Sequence, residues 1–358
     1  MDSTSPPYDA VLVVSFGGPE GMGDVIPFLE NVLKGRNVPR ERMLGVAKHY
    51  ELFGGVSPIN EQNRKLVSAL EQELATNGPR LPVYFGNRNW HPLLRDTLRE
   101  MRDDGVKNAL AFVTSAYSSY SSCRQYLENI AAAREAVGPD APQVEKLRAF
   151  YDHPLFIEAN VARIAEALAK FPEKQRATAP LIFTAHSIPA SMSQNCDYES
   201  QLKETSRLIA DEVSVGAGLV PACNRDGSVP TGSDKACAYK LVFQSRSGPP
   251  AQPWLGPDVR DYLRDLHGLG AKEVVLAPIG FVSDHLEIIY DLDTEVLSLC
   301  QELGLKMVRA ETVGAHPSFI KMIRELIMEQ LDPATPRRFL GTREPAAVTC
   351  QSGCCLPG

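Results

Sequence analysis

Acidic side chains recur at every fourth position near the end of the segment 278–295, which reads PIGFVSDHLEIIYDLDTE. Glu287, Asp291 and Glu295 would lie on one face of a helix, because residues four apart are neighbours there. Like charges at this spacing repel one another, and a cation held by the carboxylate oxygens would offset the repulsion. A solvated acidic face is the alternative, and it is the commoner explanation for an arbitrary helix. The position after a strand favours a cation site, since open α/β sheets bind ligands at the carboxyl ends of their strands.

A histidine follows a second strongly apolar segment, PLIFTA at 180–185, within the motif TAHSIP. A proline three residues later prevents immediate entry into a helix, so His186 is expected at the carboxyl end of a strand. Such a histidine alone is more often a partly buried side chain with a hydrogen-bond partner than a ligand. Beside the carboxylates of a neighbouring strand, its imidazole would instead make a ferrous-ion site and an acid–base pair.

Three further turns carry residues that suit a flat ligand. The turn SFGGPEGMG at 15–23 lacks the G-x-G-x-x-G spacing of a dinucleotide site, and the sequence G-x-x-x-x-G-K-[ST] occurs nowhere in the chain. Ser57 in GGVSPI either caps a helix or contacts a ligand. The segment 115–126, SAYSSYSSCRQY, offers tyrosines, whose planar rings and polar tips suit a large aromatic ligand. Structural packing is the alternative for each of these tyrosines.

Strand and helix patterns alternate along the chain, which is typical of α/β folds with mostly parallel strands. Strands are predicted at 8–15, 81–85, 108–114, 144–150, 180–185, 239–244, 273–277 and 305–309. Helices are predicted at 25–33, 60–76, 91–102, 121–136, 154–169, 198–213, 258–266, 284–303 and 318–330. Ser283 or Asp284 is predicted to cap the helix that carries the acidic series.

The alternation starts again near residue 150, so we predict two similar Rossmann-like, doubly wound domains. The predicted divisions are domains at 1–150 and 151–332 and a Cys-containing tail at 333–358. The segment 214–237 is rich in Gly, Pro and Ser and is predicted to be a surface loop.

The composition is ordinary for a soluble globular protein, with 358 residues, of which 44% are hydrophobic and 23% charged. A formal net charge of −7 argues against a nucleic-acid partner bound by phosphate neutralisation. No apolar run reaches the length of a membrane span, and the start of the chain, MDSTSPPYDA, lacks the pattern of a signal peptide. A cytoplasmic enzyme without a transmembrane segment is therefore expected.

The chain has 8 cysteines, and Cys350, Cys354 and Cys355 crowd its end. Disulfides are rare in a reducing compartment, so this cluster is predicted to be a metal or redox site rather than a covalent crosslink. Without a bound metal, the tail is expected to be poorly ordered.

Together, these motifs resemble those of ferrochelatases, enzymes of heme biosynthesis that insert ferrous iron into a porphyrin. The matching motifs are SFGGPE at 15–20, GGVSPI at 54–59, TAHSIP around His186, FQSRSGPPAQPWLGPDV at 243–259 and GFVSDHLEIIYDLDTE at 280–295. They follow one another in order over nearly the whole chain, and such a set is far more specific than any single motif. The resemblance implies two α/β domains with the porphyrin in a cleft between them.

The resemblance also implies roles for individual residues. His186 and Glu287 would be the pair at the metal-insertion centre, because entry of Fe²⁺ expels two pyrrole protons and needs a base and a transient ligand there. Either residue could take the protons. Asp291 and Glu295 would form an outer acidic relay for the metal. The implied porphyrin contacts are Ser57 and Tyr126, with Lys34, Arg36 and Arg88 as partners of the propionates.

The motifs SFGGPE, NRNWHP and SAYSSYSSCRQY most resemble the actinobacterial-type branch of the family. Its members act on coproporphyrin III, which carries more propionates than protoporphyrin IX and needs several cationic partners. Phe16 stands where Bacillus-like relatives have a tyrosine, so any metal contact of that tyrosine must be replaced here.

The tail resembles the cysteine-rich ends of ferrochelatases that carry a [2Fe–2S] cluster, with Cys350, Cys354 and Cys355 as the suggested ligands. Such a cluster takes four ligands, and the usual internal ligand of the branch would fall near Ala159, where this chain has no cysteine. The cysteines that could substitute are Cys123, Cys196, Cys223 and Cys237.

Other functions compete with this interpretation. A non-catalytic porphyrin or metal carrier of the same fold would keep the cleft but would need no acid–base pair, so the presence of both His186 and Glu287 favours an enzyme. Insertion of cobalt or nickel, and use of protoporphyrin IX, are alternatives within the fold. A nucleotide-dependent oxidoreductase is the weakest alternative, because no phosphate-binding fingerprint occurs.

Overall fold

A computed structural model describes residues 7–35, 37–176, 179–217, 239–248, 251–341, 346 and 353–357. The strands are β1 (Ala10–Ser15), β2 (Val83–Asn87), β3 (Asn108–Val113), β4 (Gln143–Lys146), β5 (Leu181–His186), β6 (Tyr239–Gln244), β7 (Glu273–Ala277) and β8 (Lys306–Arg309). The helices are α1 (Met22–Leu33), α2 (Arg40–Glu51), α3 (Ile59–Asn77), α4 (Leu94–Asp103), α5 (Gln125–Val137), α6 (Pro154–Leu168), α7 (Glu173–Arg176), α8 (Ala190–Ser193), α9 (Tyr198–Ala217), α10 (Val259–Gly268), α11 (Leu286–Ile289), α12 (Leu297–Leu303) and α13 (Pro317–Leu331). Segments of π-helix, Tyr120–Arg124 and Asp291–Val296, precede α5 and α12.

The strands form two sheets with the same internal order. The first sheet runs β2-β1-β3-β4 and the second runs β6-β5-β7-β8, and neighbouring strands in both are parallel. Each sheet therefore starts at an inner strand, adds one neighbour on one side and then grows on the other side. The predicted fold class, two similar doubly wound α/β units, is confirmed.

The strand order creates a switch point in each sheet. The inner strands are apolar and buried on both faces, as β1 (AVLVVS) shows, because helices cover both sides of a parallel sheet. The connections leave in opposite directions between β1 and β3, and again between β5 and β7. Open α/β sheets bind ligands at the carboxyl ends of strands at such points. The residues that follow β1, β3, β5 and β7 are thus in the position for a binding site.

One apolar core joins the two halves of the chain. The ring of Phe319, on α13, lies 6.0 Å from that of Phe112 and 5.7 Å from that of Phe150, measured between centroids. Helix α13 packs against α3 and α6. The buried Arg148, just after β4, donates to both carboxylate oxygens of Glu329 on α13, at 2.8 and 2.9 Å. The division near residue 150 stays a prediction, and the last helix of the second half is built into the first.

Several predicted elements have different ends in the structure. β6 and β7 have the predicted bounds, whereas the strand predicted at 144–150 is β4 and ends four residues earlier, at Lys146. Helix α2 was not predicted: its sequence RERMLGVAKHYE buries Met43, Ala47 and Tyr50 along one face, but the exposed Leu44 and Val46 obscure that pattern. Most of the predicted loop at 214–237 lies outside the described residues, and its first residues continue α9.

Candidate functional site

The histidine and the acidic series meet at the switch point of the second sheet. His186 is the last residue of β5, and the segment with Glu287 follows the adjacent strand β7. The Nε2 atom of His186 lies 3.5 Å from Oε1 of Glu287. The two side chains are 31% and 46% exposed, so both still reach solvent. The sequence prediction that these residues come from neighbouring strands is met by this geometry.

The backbone fixes which ring nitrogen of His186 faces the carboxylate. Nδ1 of His186 contacts the carbonyl oxygen of Ser187, which can only accept a hydrogen bond, so Nδ1 carries a proton. Nε2 is therefore the nitrogen that exchanges a proton or binds a metal. Tyr198 supports the same strand end by donating to the carbonyl oxygen of His186 at 3.0 Å.

Each member of the pair holds the other in its charged form. Burial lowers the pKa of His186, but the charge of Glu287, its hydrogen bond, the Ser187 carbonyl and the charge of Asp291 outweigh burial and raise that pKa. Burial raises the pKa of Glu287, but the charge and hydrogen bond of His186, with His285, lower it well below the usual range. The metal-free pair is thus imidazolium beside carboxylate near neutral pH.

The next carboxylate, Asp291, lies between Glu287 and Glu295. Its pKa rises to about 6, because burial and the charges of both neighbours outweigh a hydrogen bond from Ser245. Ser245 adopts φ 61°, a left-handed conformation that is uncommon for serine. The charges of Glu287 and Glu295 both raise the pKa of Asp291, so the three carboxylates lie close enough to interact, although the segment is not α-helical from Asp291 to Val296.

One α-helix was predicted at 284–303, but the structure has a π-helix, Asp291–Val296, between the short helices α11 and α12. Glu295 N–H donates to the carbonyl oxygen of Tyr290 at 3.0 Å, five residues earlier, within Asp291–Val296. The predicted caps, Ser283 and Asp284, are wrong. His285 caps α11 instead, with Nδ1 accepting from Glu287 N–H at 3.2 Å, because the hydroxyl and the carboxylate have partners elsewhere.

Those partners hold the segment from both halves of the chain. Ser283 donates to Oδ1 of Asn63 on α3 at 3.2 Å. Arg309, at the end of β8, binds Asp284 at 3.1 and 3.2 Å and Asp293 at 2.6 and 2.8 Å. The side chain of Arg309 is 14% exposed. The two acidic residues outside the series of every fourth position are therefore neutralised by one partly buried arginine, and neither carboxylate of the Arg309 pairs belongs to the series itself.

The first half contributes an aromatic and cationic wall. The guanidinium of Arg88 lies 4.6 Å from the centroid of Tyr126 and 5.5 Å from that of Phe16. Its Nη1 donates to the carbonyl oxygen of Ser121 at 3.2 Å. Tyr126 is buried beneath this stack, while Phe16 is 36% exposed. The residue that follows β1 and the residues after β3 thus meet at the switch point of the first sheet.

The glycine turn after β1 allows a close approach of Ser57. A side-chain carbon added at Gly18 would lie 2.6 Å from Cβ of Ser57, so only glycine fits. Ser57 N–H donates to the carbonyl oxygen of Pro19 at 2.8 Å, and Ser57 itself is 3% exposed. Of the predicted propionate partners near α1, Lys34 is exposed just after the helix, and Arg36 lies outside the described residues.

Helix α2 packs against the segment that carries the acidic series, which the sequence did not reveal. The ring of His49 stacks on that of Tyr290, with centroids 3.8 Å apart and an interplanar angle of 9°. Tyr50 and Leu286 belong to the same apolar cluster beneath this stack. A histidine in KHYELFGG carries no local signal for this contact, because it depends on how α2 folds back across the chain.

The described part of the cysteine tail lies against the segment 120–124. Nη1 of Arg124 donates to the carbonyl oxygen of Cys354 at 3.0 Å. The Sγ atoms of Cys354 and Cys355 are 3.4 Å apart, and the neighbouring Cys123 is buried. Cys350, Cys223 and Cys237 lie outside the described residues. In the ranges that are described, no three His, Cys, Asp or Glu side chains converge as a single-ion site.

With this geometry in place, comparison with known proteins decides the family. The sequence profile of ferrochelatases matches residues 8–331. The chain belongs to the ferrochelatase family. It is 51% identical to a ferrochelatase of Rhodopirellula baltica, over 99% of this chain and 95% of that protein. It is 49% identical to the coproporphyrin III ferrochelatase of Nocardia farcinica, over 98% of this chain and 97% of that protein.

A further relative of this ferrochelatase is the coproporphyrin III ferrochelatase of Streptomyces griseus, 48% identical over 98% of this chain and 93% of that protein. Among solved structures, the fold resembles SirB from Bacillus subtilis with Fe³⁺, with a TM-score of 0.53 and 10% identity over 91% of this chain and 96% of that one. That likeness concerns the fold alone. None of the helices within the described ranges is long and apolar enough to cross a membrane.

Proposed function

We propose that this ferrochelatase inserts Fe²⁺ into coproporphyrin III, with His186 and Glu287 at the reacting centre. The observation that carries the proposal is the 3.5 Å approach of Nε2 of His186 to Oε1 of Glu287 at the switch point of the second sheet. An imidazole and a carboxylate at this distance supply a base and a metal ligand together. The coproporphyrin III specificity of the relatives from Nocardia and Streptomyces supports the choice of substrate.

The reaction requires two proton transfers and a change of metal ligands. Each pyrrole N–H must lose its proton before its nitrogen binds iron, and the metal must lose water. In the proposed mechanism the resting imidazolium first gives up its proton as the metal arrives. Neutral His186, fixed by Ser187 at Nδ1, then accepts pyrrole protons at Nε2 and passes them to solvent in turn. Glu287 stays ionised and binds the metal through oxygen, replacing its water.

The outer carboxylates would bring the metal to this centre. In the proposed path, hydrated Fe²⁺ meets Glu295, moves to Asp291 and reaches Glu287. The electrostatic coupling of Asp291 with both neighbours supports the order, since a cation bound at one position lowers the repulsion at the next. Arg309 would favour this path, because its ion pairs occupy Asp284 and Asp293 and keep them from competing as metal ligands.

Porphyrin specificity would depend on the first half of the chain. We place the macrocycle against Phe16 and the Arg88–Tyr126 stack, near Ser57, with propionates reaching Arg88, Lys34 and Arg36. Anaerobic insertion assays with coproporphyrin III and protoporphyrin IX test this assignment. We expect kcat/KM to be higher for coproporphyrin III, and a preference for protoporphyrin IX would refute the substrate. A His186→Ala variant separates an enzyme from a carrier, because a carrier has no turnover to lose.

We also propose a [2Fe–2S] cluster held by the tail. Two contacts support the proposal: the thiols of Cys354 and Cys355 lie 3.4 Å apart, and Arg124, which follows the buried Cys123 in sequence, donates to the carbonyl oxygen of Cys354. Cys350 would be the third ligand and Cys123 the fourth, in place of the ligand missing at Ala159. Cys196 is the alternative fourth ligand, since burial and the nearby Cys354 influence its pKa. The cluster would join the tail to the segment 120–124.

Anaerobic purification, visible absorption and an iron and sulfide assay test the cluster directly. A colourless, sulfide-free protein would refute it. Cys123→Ser should remove the absorption, whereas Cys196→Ser should keep it. The reverse pattern would assign the fourth position to Cys196. The cytoplasmic location predicted from the sequence stays a prediction.

A further inference from the structure

The outermost carboxylate of the proposed metal path already has a cation beside it. Nη1 of Arg260, in the first turn of α10, lies 3.4 Å from Oε2 of Glu295. The Nε atom of the same guanidinium lies 3.2 Å from Oδ1 of Asp258, the N-cap of α10. Arg260 therefore bridges two carboxylates, one on the metal path and one outside it.

This contact differs from the other arginine contact of the segment. Arg309 binds its two carboxylates through four hydrogen bonds and is 14% exposed. Arg260 makes one long contact with Glu295, and the two side chains are 47% and 39% exposed. Single ion pairs with this much exposure contribute little free energy, because water competes for both groups. Arg309 thus fixes the segment, whereas Arg260 can leave it at small cost.

Electrostatic repulsion would displace Arg260 from Glu295 when a metal ion binds there. A guanidinium cannot lose its proton, so it carries a positive charge at every relevant pH. Fe²⁺ at Glu295 would lie a few ångströms from that charge and would repel it. Asp258 already contacts the same guanidinium, so Arg260 loses its ion pair with Glu295 but keeps the one with Asp258.

We propose that Arg260 is a displaceable counterion that sets how tightly Fe²⁺ binds at the entrance, with Asp258 as its alternative partner. The inference rests on the proposed role of Glu295 in the metal path. A weak entrance suits a path that must pass iron inward, since a metal held tightly at the outermost carboxylate would not move on. Arg260 acts through Glu295 and is a positioning residue, because it touches neither substrate.

The test removes the guanidinium and measures metal affinity in two ways. In Arg260→Gln, the KM for Fe²⁺ in anaerobic insertion assays should fall about two- to fivefold, the range that an exposed ion pair provides. The Kd of Mn²⁺, measured without porphyrin by electron paramagnetic resonance, should fall by a similar factor. Arg264→Gln is the matched control, because Arg264 lies on the same helix and pairs with Asp261 at 3.0 Å. It should leave both constants unchanged.

A second variant predicts the opposite sign. Asp258→Asn keeps a good helix cap but removes the alternative carboxylate, so Arg260 should bind Glu295 more tightly and the KM for Fe²⁺ should rise about two- to fivefold. In a Glu295→Gln background, Arg260→Gln should have no effect, because the shared partner is gone.

Equal constants in Arg260→Gln and Arg264→Gln would overturn the inference, as would weaker Mn²⁺ binding in Arg260→Gln. Failure of the proposed metal path would give a different result from failure of the counterion role. If Glu287→Gln inserts iron at the wild-type rate, the proposed path itself is wrong. If Glu287→Gln is inactive while Arg260→Gln matches its control, only the counterion role fails.

Discussion

Binding of Fe²⁺ to the porphyrin-free protein should release a proton, because the resting His186 is an imidazolium. The influence of Glu287 and Asp291 raises the pKa of His186 to about 9. At a pH of about 7.5, roughly 97% of this side chain carries the second proton. Fe²⁺ on Glu287 would repel the imidazolium beside that carboxylate, and Nε2 must lose its proton before it can accept one from a pyrrole. We therefore expect about one proton released per Fe²⁺ bound, and a metal affinity that rises about tenfold per pH unit up to about pH 9.

The carboxylates of Glu287 and Asp291 determine how the number of released protons depends on pH. The pKa of Glu287 is lowered to about 2, so it releases no proton at neutral pH. The pKa of Asp291 is raised to about 6, so it is ionised at a pH of about 7.5 and protonated near pH 5. The number of protons released should thus increase from about one towards about two as the pH falls through the pKa of Asp291, provided that this residue also binds the metal.

Anaerobic titration calorimetry in two buffers with different ionisation enthalpies measures the proton number directly. His186→Gln should release far less than one proton at a pH of about 7.5, because burial lowers the pKa of His285, the imidazole that remains beside Glu287, and the other groups are carboxyls. A proton number near zero in the wild-type protein would refute the imidazolium ground state. A wild-type number that is unchanged in His186→Gln would assign the proton to another group.

Further predictions follow from single contacts. Glu287→Gln should abolish insertion, whereas Glu295→Gln should mainly raise the KM for Fe²⁺; equal, mild effects at both positions in steady-state assays would return the acidic series to a solvated face. Arg309→Met should lower the free energy of unfolding by about 3–5 kcal/mol, because two carboxylates lose their buried partner, and an unchanged urea midpoint would contradict this. Gly18→Ala should cost about 1–3 kcal/mol and raise the KM for the porphyrin, since the added carbon overlaps a buried serine. Gly21→Ala, which has open space in the same turn, is the control and should leave that KM unchanged.

Local patterns predicted the sheets well, because buried parallel strands are continuous apolar runs bounded by turns. The segments YKLVFQ and EVVLA gave β6 and β7 with correct bounds. The resemblance to ferrochelatases was confirmed by the family match over residues 8–331. The roles of His186, Glu287 and the other site residues stay predictions, although the structure brings that pair together.

Features that depend on distant residues could not be read from the sequence. The π-helix at Asp291–Val296 places an extra residue within an ordinary helical pattern, so periodicity predicts an α-helix there. His285 caps α11 in place of Asp284, because the carboxylate of Asp284 is paired with Arg309, 25 residues further along the chain. The stack of His49 on Tyr290 likewise depends on where α2 folds. Such contacts leave no local pattern in the sequence, because the residues around one partner do not indicate which distant residue it will contact.

The packing of α13 into the first half has a consequence for synthesis on the ribosome. The rings of Phe112 and Phe150 are covered by Phe319, and the buried charge of Arg148 is balanced by Glu329. Both covering residues are translated about 170 residues or more after the groups they cover, and an N-terminal domain ordinarily folds first as it emerges. Until the last helix arrives, the nascent first half therefore exposes an apolar face and leaves Arg148 without its partner Glu329. The growing chain needs shielding during that interval, and folding is completed only after α13 has left the exit tunnel.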